Sequence, residues 1–109
     1  ASNYMTLSYD YNKGYIEYSI SKAIPLKGSI EDVTNDEFSF RIVKKDTNEV
    51  ILFDNIVSSD GKMDKYTEQF EIVLKDIKEG EYTIQLFRFK KENQTDSNYN
   101  RTYPLKVIK

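Results

Sequence analysis

The chain contains no His and no Cys, so any chemistry it performs would rest on carboxylates, hydroxyls and amides. Without an imidazole or a thiolate, neither Ser-His-Asp nor Cys-His nucleophilic catalysis can be assembled, and the usual zinc ligands are missing. Paired carboxylates could still serve in glycoside hydrolysis, and 18 Asp and Glu residues could supply them. These residues mostly occupy turns or alternate outward along strands, and none lies in a marked motif. We therefore expect a protein that is not an enzyme and uses no cofactor.

Two acidic segments could hold a hard cation, because such ions prefer oxygen ligands. Asp96, Asn98 and Asn100 have the spacing of the first three ligands of a calcium loop. The Gly that should follow is absent, however, and Val107 stands where a bidentate Glu is needed. Residues 31–37 are the second segment. A solvated loop explains both segments better, so we predict no metal site.

The charge pattern does not point to a nucleic-acid partner. The formal net charge is −2, from 16 basic and 18 acidic residues. The basic runs at 41–45 and 88–91 lie beside acidic residues or at predicted strand ends, whereas phosphate binding needs a clustered basic field. No stretch approaches the roughly 20 apolar residues of a membrane-spanning helix. We expect a monomer that contacts a protein or another cell-surface component.

The first residues bear on the location of the protein. The chain begins with Ala1 and has no initiator Met, which fits either a removed signal peptide or residues left by cloning. Both explanations imply a piece of a longer gene product. We expect a secreted or cell-surface protein, although the absence of Cys leaves the redox compartment open.

Apolar and polar residues alternate with period two through the chain, which is the signal of β-strands. About eight short strands and no helix are predicted. Turn residues at 11–14 predict a hairpin between the first two strands, and Pro25 and Gly28 predict that the third is kinked or at an edge. Residues 91–100 are polar and are predicted to lack strand structure. One all-β domain over residues 1–109 is expected, most simply an antiparallel sandwich, with a small barrel as the alternative.

The same alternation predicts which side chains form the core. Residues of one parity on the central strands should point inward from two facing sheets. This set comprises Phe38, Phe40, Ile42, Phe70, Ile72, Leu74, Ile84 and Leu86.

The segment around Gly80 and Tyr82 has the spacing of a tyrosine corner, in which a Gly precedes a strand Tyr by two positions. The Gly allows a tight turn, and the Tyr ring is buried while its hydroxyl reaches backbone of the corner. We expect the hydroxyl of Tyr82 to bond to backbone within residues 75–79.

From about Gly28 to the end, the chain resembles an immunoglobulin-like or fibronectin-type-III-like domain. Residues 38–42 resemble its central strand, residues 46–51 the hairpin that follows, and residues 77–82 its tyrosine corner. The chain departs from true immunoglobulin domains by lacking the Cys pair and the core Trp, so an antigen-receptor function is not implied. The resemblance implies a module of the kind that bacterial surface proteins use as spacers, adhesins or enzyme appendages.

Two sets of aromatic residues are candidate binding residues. In the strand at 81–90, Phe87 and Phe89 have the opposite parity to Leu86. A β-bulge near Leu86 that turns both rings inward is favoured; otherwise they face outward beside Val43 and Ile108 as an apolar patch.

The second set is Tyr99, in an Asn-rich loop, and Tyr103 nearby. Tyr, Asn and Ser on loops are typical of adaptable recognition surfaces. The leading expectation for the chain is a non-enzymatic binding or spacing module. The alternatives are a protease inhibitor that presents a loop from residues 55–66 or 91–100, and a carbohydrate-binding module that uses exposed Tyr rings.

Overall fold

The computed structural model describes residues 5–31, 36–58, 67–90 and 93–109, and gives backbone only at residues 36–37, 88–90 and 93–100. The described residues form strands and turns and contain no helix. Eight strands follow one another along this part of the chain. Their bounds are β1 Met5–Leu7, β2 Ile16–Ser19, β3 Leu26–Glu31, β4 Asp36–Lys44, β5 Val50–Asn55, β6 Thr67–Ile72, β7 Gly80–Lys90 and β8 Asn93–Ile108.

The strands form two sheets, which confirms the all-β sandwich predicted from the alternation. One sheet has three strands in the order β1-β3-β6, and the other has five in the order β2-β8-β7-β4-β5. Every pair is antiparallel except β2 with β8, which is parallel. Apolar residues from both sheets pack into a single buried cluster, and all eight residues predicted for the core are among the buried ones.

The predicted hairpin between the first two strands is wrong. The turn exists, since the amides of Lys13 and Gly14 bond to the carbonyls of Asp10 and Tyr11. However, β1 pairs with β3 in one sheet while β2 pairs with β8 in the other. The turn therefore carries the chain across the sandwich. Period-two alternation identifies strands, but it carries no information about which strand pairs with which.

The third strand is central rather than at an edge, because β3 has β1 on one side and β6 on the other. Pro25 lies just before the strand and removes no ladder bond from it. Gly28 lies inside, where it pairs with Leu7 and with Phe70. A Cβ at Gly28 would collide with the Phe70 ring and with the carbonyl oxygen of Thr6. This glycine is therefore needed for close approach rather than for a kink.

The prediction that residues 91–100 lack strand structure is also wrong for residues 93–100, whose backbone is the first half of β8. They pair with the end of β7, with register shifts beyond Arg88. Backbone ladder bonds need no apolar side chains, so a polar strand gives no alternation signal. One of the two loops considered for protease inhibition is consequently a strand over most of its length.

Candidate functional site

The five-stranded sheet has an inner face in the core and an outer face, and β7 contributes to both. Ile84 and Leu86 are fully buried on the inner face, and Phe87 has the opposite parity. The ladder between β4 and β7 is unbroken from Asp36 to Lys44, and β8 pairs with β7 without a shift as far as Arg88. The favoured β-bulge near Leu86 is therefore wrong for Phe87, which lies on the outer face. The register shifts come only after Arg88, and the side chain of Phe89 lies outside the described residues.

Other side chains nevertheless cover Phe87 on that face, and only 7% of it is exposed. The ring of Phe53 on β5 stacks on it, with 6.5 Å between centroids and 26° between planes. The guanidinium of Arg41 on β4 lies over it at 5.0 Å from the centroid. The partners that we expected from sequence were Val43 and Ile108. The ring of Phe87 therefore packs beneath the side chains of the outer face and is not itself exposed for contact with a partner.

The exposed apolar side chains of this outer face belong to the edge strand β5, which lies beside β4. Phe53 is 56% exposed, Val50 is 48% exposed and Ile51 is 37% exposed. Phe53 pairs with Arg41, and Val50 pairs with Val43, so both share the outer face with Phe87. We call the set Arg41, Val50, Ile51, Phe53 and Phe87 the outer strip.

Arg41 is held in place at the middle of this strip. Its Nε donates to Oε1 of Gln85, the residue that pairs with it on β7. Its guanidinium carbon lies over Phe87, as above. Both side chains are half-buried. Because the Nε–H of Arg41 is bonded to Gln85 and one face of the guanidinium lies against the Phe87 ring, the plane of the guanidinium has little freedom.

Apart from the parity of Phe87, no pattern in the sequence pointed to the outer strip. Residues 50–53 are four consecutive apolar residues, a pattern that is typical of a strand buried on both faces. The strand is instead at the edge of its sheet, so one face of that run has to meet solvent. The pairing of Arg41 with Phe53 depends on register, which alternation alone does not give.

Of the other three predicted binding residues, only Tyr103 has a described side chain, and it does not join this strip. Phe89 lies in β7 and Tyr99 in β8 opposite Arg88, and the structure describes only their backbones. Tyr103 is 4% exposed, and its hydroxyl accepts a hydrogen bond from the amide of Leu7 at 3.3 Å. Tyr103 thus joins the two sheets from inside rather than sitting on a loop surface.

The predicted corner has the expected hydrogen bond. Tyr82 is 5% exposed, and its hydroxyl donates to the carbonyl of Lys78 at 2.8 Å. Gly80 has φ +156°, which L side chains rarely adopt. The segment between β6 and β7 is also joined to β2, because the hydroxyl of Tyr18 donates to the carbonyl of Leu74 at 3.1 Å. Both residues singled out for structure, Gly80 and Tyr82, therefore shape this crossover.

A second surface feature lies where the chain crosses from β1 to β2. The ring of Tyr11 is 70% exposed, and it contacts Tyr9 with 4.4 Å between centroids. Tyr9 also lines an open groove of about 590 Å³ between this crossing and the connection from β2 to β3. Asp10, Lys13 and Glu17 supply charges to the groove, and the last two form an ion pair at 3.3 Å.

Neither described surface brings together a metal-binding set. Within the described residues there is no group of three or more Asp and Glu side chains that could hold a metal ion. Apart from Glu31, the side chains of the two acidic segments, 31–37 and 96–100, lie outside the described residues. No helix with the length and apolarity needed to cross a membrane occurs in the described ranges.

Comparison with protein-family models, with curated proteins and with solved structures found no match to this chain.

Proposed function

We propose that this chain is a non-enzymatic, immunoglobulin-like module that binds a protein partner through the outer strip. The strand order supports the immunoglobulin-like type. The connections β3–β4, β5–β6 and β6–β7 cross between the sheets, as Greek-key connections do in that fold. The hydrogen bond from Tyr82 to the carbonyl of Lys78 is the one expected of its tyrosine corner.

The observation that carries the binding function is the exposed ring of Phe53 on a fixed support. Phe53 is 56% exposed while Phe87, beneath it, is 7% exposed. Aromatic residues are enriched at protein interfaces and frequently dominate their energetics. A ring already stacked on its neighbour loses little conformational freedom when a partner covers it, so this arrangement is suited to an anchor.

A comparison of matched variants tests this function. A random-peptide display library is selected against the wild-type chain, against Phe53→Ser, and against Ile24→Ser. Ile24 is 62% exposed and lies outside the outer strip, so its variant controls for the loss of an exposed apolar side chain. We expect the enriched peptides to bind wild type and Ile24→Ser equally and to lose binding to Phe53→Ser. Equal binding to all three chains, or no enrichment over the bare support, would contradict the proposal.

A carbohydrate-binding function is the second candidate, and the Tyr9–Tyr11 pair favours it. An exposed ring beside a groove that carries charged groups offers both an apolar platform and polar contacts to a sugar. Binding on a glycan array that is lost in Tyr11→Ala and kept in Phe53→Ser would support this candidate in place of the first. The secreted or cell-surface location stays a prediction.

A further inference from the structure

We propose that Arg41 is the receptor for a carboxylate of the partner, and that the partner presents a protein segment in which Asp or Glu stands beside apolar residues. This inference rests on the proposed function of the outer strip. The inference specifies the chemistry of the partner, because the outer strip combines one cation of fixed orientation, Arg41, with apolar side chains around it.

The geometry of Arg41 is that of a prepared anion receptor. Gln85 takes the Nε donor, and the Phe87 ring supports one face of the guanidinium. The Nη groups make no hydrogen bond to any side chain that the structure describes. A planar guanidinium whose orientation is already set can bind a carboxylate through two parallel N–H···O bonds with little further loss of freedom.

The charge of Arg41 has no described counterpart on the protein. Among the described residues the ion pair present joins Lys13 and Glu17, far along the chain from this strip. Arg41 is half-buried, its guanidinium lies over Phe87, and its pairing partner on β5 is Phe53. A partner that covers Phe53 would exclude more water from Arg41, and a charge removed from water is costly unless it is paired. Charge complementarity therefore requires an acidic group on the covering surface.

The open edge of β5 is less suited to binding than its face. The amide of Ile56 bonds to the carbonyl of Phe38 on β4. Because the backbone groups of successive strand residues point to opposite sides, those of Phe53 and Asn55 point toward the open edge. The amide of Asn55 is already occupied by Oδ1 of Asp54 at 2.8 Å. The register also shifts where β5 pairs with Val43. A capped amide and a bulge are both features that discourage added strands, so we place the partner on the face.

The test uses the same display selection, repeated with Arg41→Gln and Arg41→Lys. We expect peptides enriched on wild type to carry Asp or Glu flanked by apolar residues. Their binding should weaken by ~10-fold or more in Arg41→Gln, since hydrogen bonds to charged groups are the strong class. Arg41→Lys should restore only part of it, because an ammonium lacks the two-pronged geometry. Replacing the peptide's own Asp or Glu by its amide should have the same effect on wild type, which keeps the test decisive if a variant is unstable.

The outcomes separate this inference from the proposed function. If Phe53→Ser abolishes binding while the enriched peptides contain no acidic residue, the strip binds a partner but Arg41 is not a carboxylate receptor. Equal binding to wild type and a folded Arg41→Gln overturns the inference in the same way. Binding of a single-stranded DNA oligonucleotide at Arg41 in preference to acidic peptides would assign the site to phosphate and also overturn it. If neither Phe53→Ser nor Arg41→Gln alters binding, the proposed function itself is contradicted.

Discussion

Replacing Tyr103 by Phe should destabilise the sandwich, although it removes only one oxygen. The hydroxyl of Tyr103 accepts a hydrogen bond from the amide of Leu7, and the two residues are 4% and 1% exposed, respectively. An unsatisfied buried donor costs about 1–3 kcal/mol. The distance of 3.3 Å is longer than the typical ~2.9–3.0 Å. We therefore expect a loss of about 1–2 kcal/mol in the free energy of unfolding, the lower part of that range.

Urea unfolding measures this loss, with Tyr9→Phe as the control. Tyr9 is half-buried and its ring packs on Tyr103, but its hydroxyl makes no hydrogen bond to another described residue. With a slope of ~2 kcal/mol/M, the middle of the usual range for urea, the midpoint of Tyr103→Phe should fall by about 0.5–1 M. The control should remain within ~0.5 kcal/mol of wild type. An unchanged midpoint for Tyr103→Phe, or equal losses in both variants, would refute the role assigned to this hydrogen bond.

Two further changes test the packing of the sandwich. Gly28→Ala should lower the midpoint of thermal unfolding, because the added methyl collides with the Phe70 ring and with the backbone of Thr6. Overpacking of this kind costs about 1–3 kcal/mol or more. An unchanged midpoint would contradict the close approach of β3 to Phe70 and Thr6. Tyr82→Phe should cost about 0.5–1.5 kcal/mol in urea unfolding, because the carbonyl of Lys78 loses its partner in a part-buried setting; a midpoint equal to that of wild type would show that the corner does not depend on this bond.

The inner face of the sandwich could be predicted from the sequence because burial imposes alternation. Phe40, Ile42 and Ile84 alternate with outward residues, and each is buried as expected. The tyrosine corner was also predictable, because its geometry depends on local spacing: the bond from Tyr82 reaches only four residues back. Both signals are carried by a few neighbouring positions and need no knowledge of the remaining chain.

The candidate site could not be predicted in the same way, because it depends on pairing between distant strands. Arg41, Phe53 and Phe87 come from three strands and meet through register. Only Phe87 could be singled out from the sequence, because its parity along the strand disagrees with that of Leu86. Both a bulge and an outward ring explain that disagreement, the sequence favoured the bulge, and only the unbroken ladder from β4 to β7 shows that the ring of Phe87 faces outward.

The most direct test of the central claim is a double-mutant cycle between Arg41 and the peptide carboxylate. The affinity of one enriched peptide and of its amide-substituted form is measured by titration against wild type and Arg41→Gln. The account predicts that each single change weakens binding by ~10-fold or more, and that the second change then adds little, because the two groups act as a pair. Independent, additive losses would contradict a direct contact between Arg41 and the carboxylate.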